Sequence, residues 1–153
     1  MHRVAALLLI SLGFFIAAPA RAADPARVET VTIQTASGSF AFQAEIADTP
    51  ALRERGLMFR HKLPENRAML FDWGNVSEIA MWMKNTYIPL DMIFITKSGR
   101  VANVAENTVP FSETIIPSDG PVAGVLEVAA GTAKRIGLKP GDTVMHSMFQ
   151  PAN

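Results

Sequence analysis

Val28-Glu29-Thr30-Val31-Thr32-Ile33-Gln34, then Ala36-Ser37-Gly38-Ser39, then Phe40-Ala41-Phe42-Gln43-Ala44-Glu45-Ile46 is the stretch that decides the fold class. Alternating apolar and polar side chains mark a half-buried strand, and small turn-forming residues between two such runs mark a β-hairpin. The same grammar continues downstream. Met69 to Trp73, Ile79 to Met83, Leu90 to Thr96, Val101 to Val104, Gly124 to Val128 and Thr143 to Met148 are short and rich in apolar residues. Lys97-Ser98-Gly99-Arg100 and Lys139-Pro140-Gly141-Asp142 supply turns between them.

Helical signals are few. Asp48-Thr49-Pro50 offers a capping side chain and an early proline, so Ala51 to Arg55 is expected to form a short helix that Gly56 stops. Gly131 to Ile136, ended by Gly137, is the second. Leu57-Met58-Phe59 is expected to plug the core, and Asn107 to Pro121, polar and with three prolines, to form a long surface loop. The expected fold is mainly β with one or two short helices (α+β): a compact single-domain barrel or sandwich of about seven or eight short strands.

Before the hairpin lies a different kind of segment. Arg3 precedes an apolar run from Val4 to Ala18, Pro19 breaks it, and Ala20-Arg21-Ala22 places small residues at both positions of a cleavage site. That is the layout of a Sec signal peptide. The run of about 15 residues falls short of the roughly 20 that a spanning helix needs. Cleavage after Ala22 is expected first and after Ala23 second, with the processed protein in the periplasm or outside the cell and without a stable membrane span. The expected boundaries are a signal peptide at 1–22, a flexible lead-in at 23–30, one β-rich domain at 31–149 and a tail at 150–153.

Composition narrows the function. The chain carries 14 basic and 14 acidic side chains and no cysteine. Loss of Arg3 and Arg21 with the leader makes the processed protein slightly acidic, which gives no electrostatic footprint for nucleic acid or an anionic membrane. Without cysteine there is no disulfide, thiol catalysis or thiolate metal site, so stability rests on packing.

Several segments carry a resemblance. Thr49-Pro50 with Arg53 and Gly56-Leu57-Met58-Phe59-Arg60 resembles the opening motif of the exported-protein family catalogued as domain of unknown function 192. Met69-Leu70-Phe71, Trp82-Met83-Lys84-Asn85-Thr86, Ile88-Pro89-Leu90-Asp91 and Gly131-Thr132-Ala133 are similar to its later motifs in the same order, and Glu113-Thr114 and Gly141-Asp142 also fit. The resemblance spans roughly Val31 to Val144, and it implies a small, mostly β domain and export. The family has no established activity, so no catalytic residue is carried over.

The residues themselves nominate one polar cluster. Asp91 sits in the apolar run Ile88 to Ile95, and Glu127 sits between Leu126 and Val128. A carboxylate in such a place is costly unless it is paired or hydrogen-bonded. Read as a strand, Met81 to Asn85 puts Trp82 and Lys84 on one face and Met81, Met83 and Asn85 on the other. Arg53, Trp82, Lys84, Asn85, Asp91 and Glu127 are therefore the expected ligand-binding residues. Lys84 and Arg53 would face anionic groups, Asp91 and Glu127 would accept hydrogen bonds, and Trp82 would stack, with Tyr87 and Trp73 as further aromatic candidates.

The expected ligand is a polar small molecule, cell-wall fragment or peptide. An envelope hydrolase or lyase using paired carboxylates is the alternative. A third reading makes Asp91 and Glu127 structural, in ion pairs or on backbone amides. Monovalent copper held by Met81 with Met83, or by His146 with Met148, is a minor alternative, set against the usual role of methionine as a core filler. His61 and His146 form no paired-ligand motif, the serines lie in no nucleophile elbow, and the glycines match no phosphate loop. No cofactor is expected.

Overall fold

A computed structural model describes residues 26–149, so the expected signal peptide and the tail beyond 149 lie outside the described residues. The opening hairpin is as expected. β1 (Val28–Thr35) and β2 (Gly38–Ala47) pair antiparallel, with Val31 opposite Phe42 and Ile33 opposite Phe40. Strand structure thus begins at Val28, inside the stretch 23–30 drawn as a lead-in.

Thr49 caps α1 (Pro50–Arg55) by accepting the Leu52 amide at 3.2 Å, and Gly56 ends the helix. This helix belongs to the crossover that a parallel pairing requires: β3 (Arg67–Ser77) runs parallel to β2, with Ile46 opposite Leu70. After β4 (Ala80–Met81), the strands β5 (Leu90–Ile95) and β6 (Val101–Ala105) form a second hairpin. β7 (Ile116–Pro117) pairs with β4, so the loop from Asn107 to Pro121 is not wholly irregular. β8 (Val122–Ala129), α2 (Thr132–Ile136) and β9 (Thr143–Met145) complete the chain.

The seven-stranded sheet has the order β6-β5-β8-β3-β2-β1-β9. It curls until its two edge strands meet. Arg100 bridges to Thr143, the Val101 amide donates to the Asp142 carbonyl at 2.9 Å, and the Val144 amide donates to the Gly99 carbonyl at 2.7 Å. Gly99 permits this contact: its φ is +78°, and a Cβ there would lie 2.6 Å from the Val144 carbonyl oxygen. The result is a half-closed barrel with two short helices, the mainly β architecture expected from the strand pattern.

Both faces of the curled sheet are covered. Val31, Ile33, Phe42, Leu70, Ile93 and Leu126 pack inside the curl, with Ile136 of α2 against them. Met69, Phe71, Met92, Phe94 and Val125 point outward and are covered by Leu57, Met81 and Met83. All of β5 is therefore buried, which explains its nearly unbroken apolar run.

Candidate functional site

Directly opposed residues of neighbouring strands point to the same face of a sheet. Glu127 lies opposite Met69 of β3 on one side and Met92 of β5 on the other. All three belong to the outward layer, so the carboxyl emerges beneath the segments that cover it. There it forms the base of a pocket of about 240 Å³. Leu57, Phe71, Met81 and Thr86 bury the lower wall, Met58, Trp73, Arg53 and Lys84 are half-buried, and Trp82, Glu54 and Arg55 rim the mouth. The volume lies below the roughly 300–1,000 Å³ of drug-sized pockets.

Glu127 is 4 % exposed. No hydrogen bond or ion pair from a described residue reaches its carboxyl; the Arg60 charge acts on it only at a distance. Arg60 is instead held by Glu45 in a two-pronged pair at 2.6 and 2.7 Å. That pair pulls the Glu45 carboxyl below its ordinary range, and Arg60 is raised by the same contact. At Glu127, loss of water outweighs the pull of Arg60, and its pKa is pushed up to about 8. The pocket thus has a carboxylic acid at its base that is mostly neutral at pH 7 and able to donate a hydrogen bond.

The walls are set by local chemistry. Phe71 and Trp73 stack with their planes 21° apart and centroids at 5.9 Å. Gly56, at φ +47°, lets the chain leave α1 against Phe71; a Cβ there would lie 3.1 Å from the Phe71 ring. The Arg53 guanidinium is engaged by two backbone carbonyls, Asp48 at 2.6 Å and Asp72 at 2.7 Å, and so ties α1 to β3. Lys84 lies with Nζ 5.1 Å from the centre of the Trp82 ring, in cation–π geometry.

The expected strand from Met81 to Asn85 is corrected. β4 ends at Met81, and the Thr86 amide donates to the Met83 carbonyl at 3.1 Å, closing a turn with Asn85 at φ +53°. Lys84 and Trp82 remain together because of this turn rather than by strand alternation. The turn is braced from both sides: the Phe59 amide donates to the Asn85 carbonyl at 2.9 Å, and the Phe111 amide to the Thr86 carbonyl at 3.1 Å. Phe59 (φ 64°) and Phe111 (φ 62°) are both left-handed, an uncommon state for bulky residues. Both rings pack on Tyr87, which therefore belongs to this brace and not to a platform with Trp82. Phe59 is exposed, so of the expected plug only Leu57 enters the core. Asn85 does not line the pocket; its side-chain amide points at the Met58 sulfur at 3.9 Å.

Asp91 is the main correction to the expected cluster. It lies opposite Val128, which packs inside the curl, so it sits on the other face of the sheet from Glu127. Its carboxylate is fully buried and accepts the Asn107 amide at 2.8 Å and the Ala133 amide at 2.8 Å. It anchors the start of α2 and the loop after β6. Paired-carboxylate chemistry by Asp91 and Glu127 has no geometric basis.

Arg53, Trp82, Lys84 and Glu127 do converge on the pocket. Sequence reasoning missed Leu57, Met58, Phe71, Arg55 and Thr86; the apolar triplet after the Gly56 stop was the available signal. The two candidate copper pairs lie in different layers, Met81 with Met83 in the outward one and Met148 against the inner one. Met83 is buried in the outward layer with its sulfur accepting from the Thr108 hydroxyl at 3.1 Å, and Met148 packs against the inner cluster. His146 bonds Glu29 through Nε2 at 2.9 Å and accepts the Met148 backbone amide at Nδ1 at 3.3 Å. Among the described residues, no three His, Asp or Glu side chains gather in a metal-binding group.

The DUF192 family, described as Uncharacterized ACR, matches residues 31–146. No curated protein matches the chain. Two solved structures are similar throughout. A Sinorhizobium meliloti protein described as a candidate transcription regulator is 46% identical, with a TM-score of 0.79 over 82% of this chain and 98% of that one. A Novosphingobium aromaticivorans protein of unknown function is 42% identical, with a TM-score of 0.78 over 86% of this chain and 94% of that one.

Proposed function

We propose, for a chain that belongs to the DUF192 family, that it is an exported domain whose task is to bind a compact polar molecule, such as a cell-wall fragment or short peptide, in the periplasm or outside the cell. One observation carries this reading: the buried Glu127 carboxyl has no hydrogen-bond or ion-pair partner among the described residues and opens into a pocket. The carboxyl oxygens are open to the pocket rather than sealed away from it, so a ligand can reach them and complete their hydrogen bonding. The stacked Phe71 and Trp73 rings supply apolar area for the ligand's body. Export rests on the Arg3 to Ala22 sequence. The regulator description of the Sinorhizobium meliloti protein is said of that protein alone.

Isotope-labelled protein titrated with pools of sugars, muropeptides, short peptides, organic acids and amines tests the proposal. The expected result is a saturable shift of the Trp73 and Trp82 indole signals that is weakened in Glu127→Leu. Shifts confined to residues far from the pocket, or no shift with any pool, would overturn it.

A further inference from the structure

The charges around this pocket are not symmetric. Arg55 at its mouth and the half-buried Arg53 and Lys84 just inside set three positive groups against the single carboxylate of Glu54, while its base holds Glu127 among apolar side chains. Arg53 donates from Nη1 to the Asp48 and Asp72 backbone carbonyls. Arg55 is exposed and Lys84 is half-buried, so both can meet a ligand's charge. Between mouth and base the lining is aromatic and thioether, from Trp73, Phe71 and Met81.

Resting on the pocket reading above, we infer that the ligand is a compact organic monoanion: a carboxylate at the mouth on Lys84 and Arg55, an apolar body against Trp73 and Phe71, and an uncharged oxygen acceptor at Glu127. Charge at each level decides between the candidates. A cationic ligand meets three positive groups on its way in. A dianion of matching length would place a charge beside Glu127 in the driest part of the pocket, where an unpaired ion is most costly. A carboxylate at the mouth keeps its charge near water and pairs it with cations in charge-assisted hydrogen bonds. An amide or ester carbonyl at the other end accepts the Glu127 proton. N-acylated amino acids and N-acyl peptide fragments have this pattern.

The mouth and the base make separate predictions about pH. The charged groups near Glu127 are Arg53, Glu54 and Arg55 of α1, Lys84 of the turn, and Arg60 with its partner Glu45. Glu127 changes charge around pH 8. Its ionisation removes the donor that the ligand's carbonyl needs. Glutamine at this position keeps an uncharged N–H donor at all pH values.

A matched set of probes tests the inference: N-acetylleucine, its uncharged amide, and leucinamide, which is cationic. Calorimetry and labelled-protein titrations at pH 6.5 and 9.5 would be run on the full processed protein. N-acetylleucine is expected to bind about tenfold more tightly than its amide. That preference should shrink in both Lys84→Met and Arg55→Gln, the second at an exposed position where folding is not at risk. Binding of N-acetylleucine should weaken at pH 9.5 in the parent and persist in Glu127→Gln. Tightest binding by leucinamide would overturn the anion assignment while leaving the pocket reading intact. Binding of acid and amide with equal affinity would do the same. If none of the three shifts Trp73 or Trp82 while another class in the broader pools does, the assignment falls alone; if nothing does, the pocket reading falls with it.

Discussion

Asp91 and Glu127 occupy adjacent antiparallel strands one register position apart, and they face opposite sides of the sheet. Asp91 lies opposite Val128, and Met92, the next residue, lies opposite Glu127. One carboxylate therefore points into the curl and is held by two backbone amides, at 2.8 Å each. The other points outward into a pocket. Two similar anomalies in the sequence thus have opposite physical meanings, and their variants should behave oppositely.

Asp91→Ala is expected to lower stability by about 2–5 kcal/mol, because it leaves the buried Ala133 amide and the half-buried Asn107 amide without an acceptor. Urea denaturation followed by tryptophan fluorescence measures it. A change under about 1 kcal/mol would mean that water or a rearranged loop replaces the carboxylate.

For Glu127 the sign follows from a pKa raised from 4.5 to about 8 in the folded chain. Between these values the folded protein keeps a proton that the unfolded chain has released, so stability falls as pH rises through this window. The slope approaches about 1.4 kcal/mol per pH unit and levels off above pH 8. The contribution is fully present only below the unfolded value. Glu127→Gln should flatten the slope and leave the variant more stable than the parent at pH 8.5. Denaturation series from pH 5.5 to 8.5 on both proteins check it, and a slope that survives in the glutamine variant would assign the effect to another group.

Closure of the sheet depends on Gly99, whose positive φ and contact with the Val144 carbonyl exclude a side chain. Gly99→Ala should cost about 1–3 kcal/mol and speed amide exchange at Val101 and Val144, where the edge strands join. Unchanged exchange at those amides would show that the seam tolerates the substitution.

Export makes a separate prediction. The protein recovered from the cell envelope or medium should begin at Ala23 or Asp24 when its N-terminus is sequenced. An intact Met1 in a membrane fraction would contradict processing.

Alternation in Val28 to Ile46, the Thr49 cap, and the glycine stops at Gly56 and Gly137 were legible in the sequence because each is a local matter of φ, side-chain period and nearby hydrogen bonds. The class of fold and the two helices follow from them. What the sequence could not decide was which face each anomalous residue takes. That depends on register: a shift of one residue moves every side chain of a strand to the other side. Asp91 and Glu127 look alike in one dimension, and only the pairing of β5 with β8 separates them. The turn that brings Lys84 to Trp82 was hidden for a related reason. It is held by backbone bonds from Phe59 and Phe111, two residues distant from it in the chain. Local chemistry determined the elements; long-range register and bracing decided which of their side chains share a pocket.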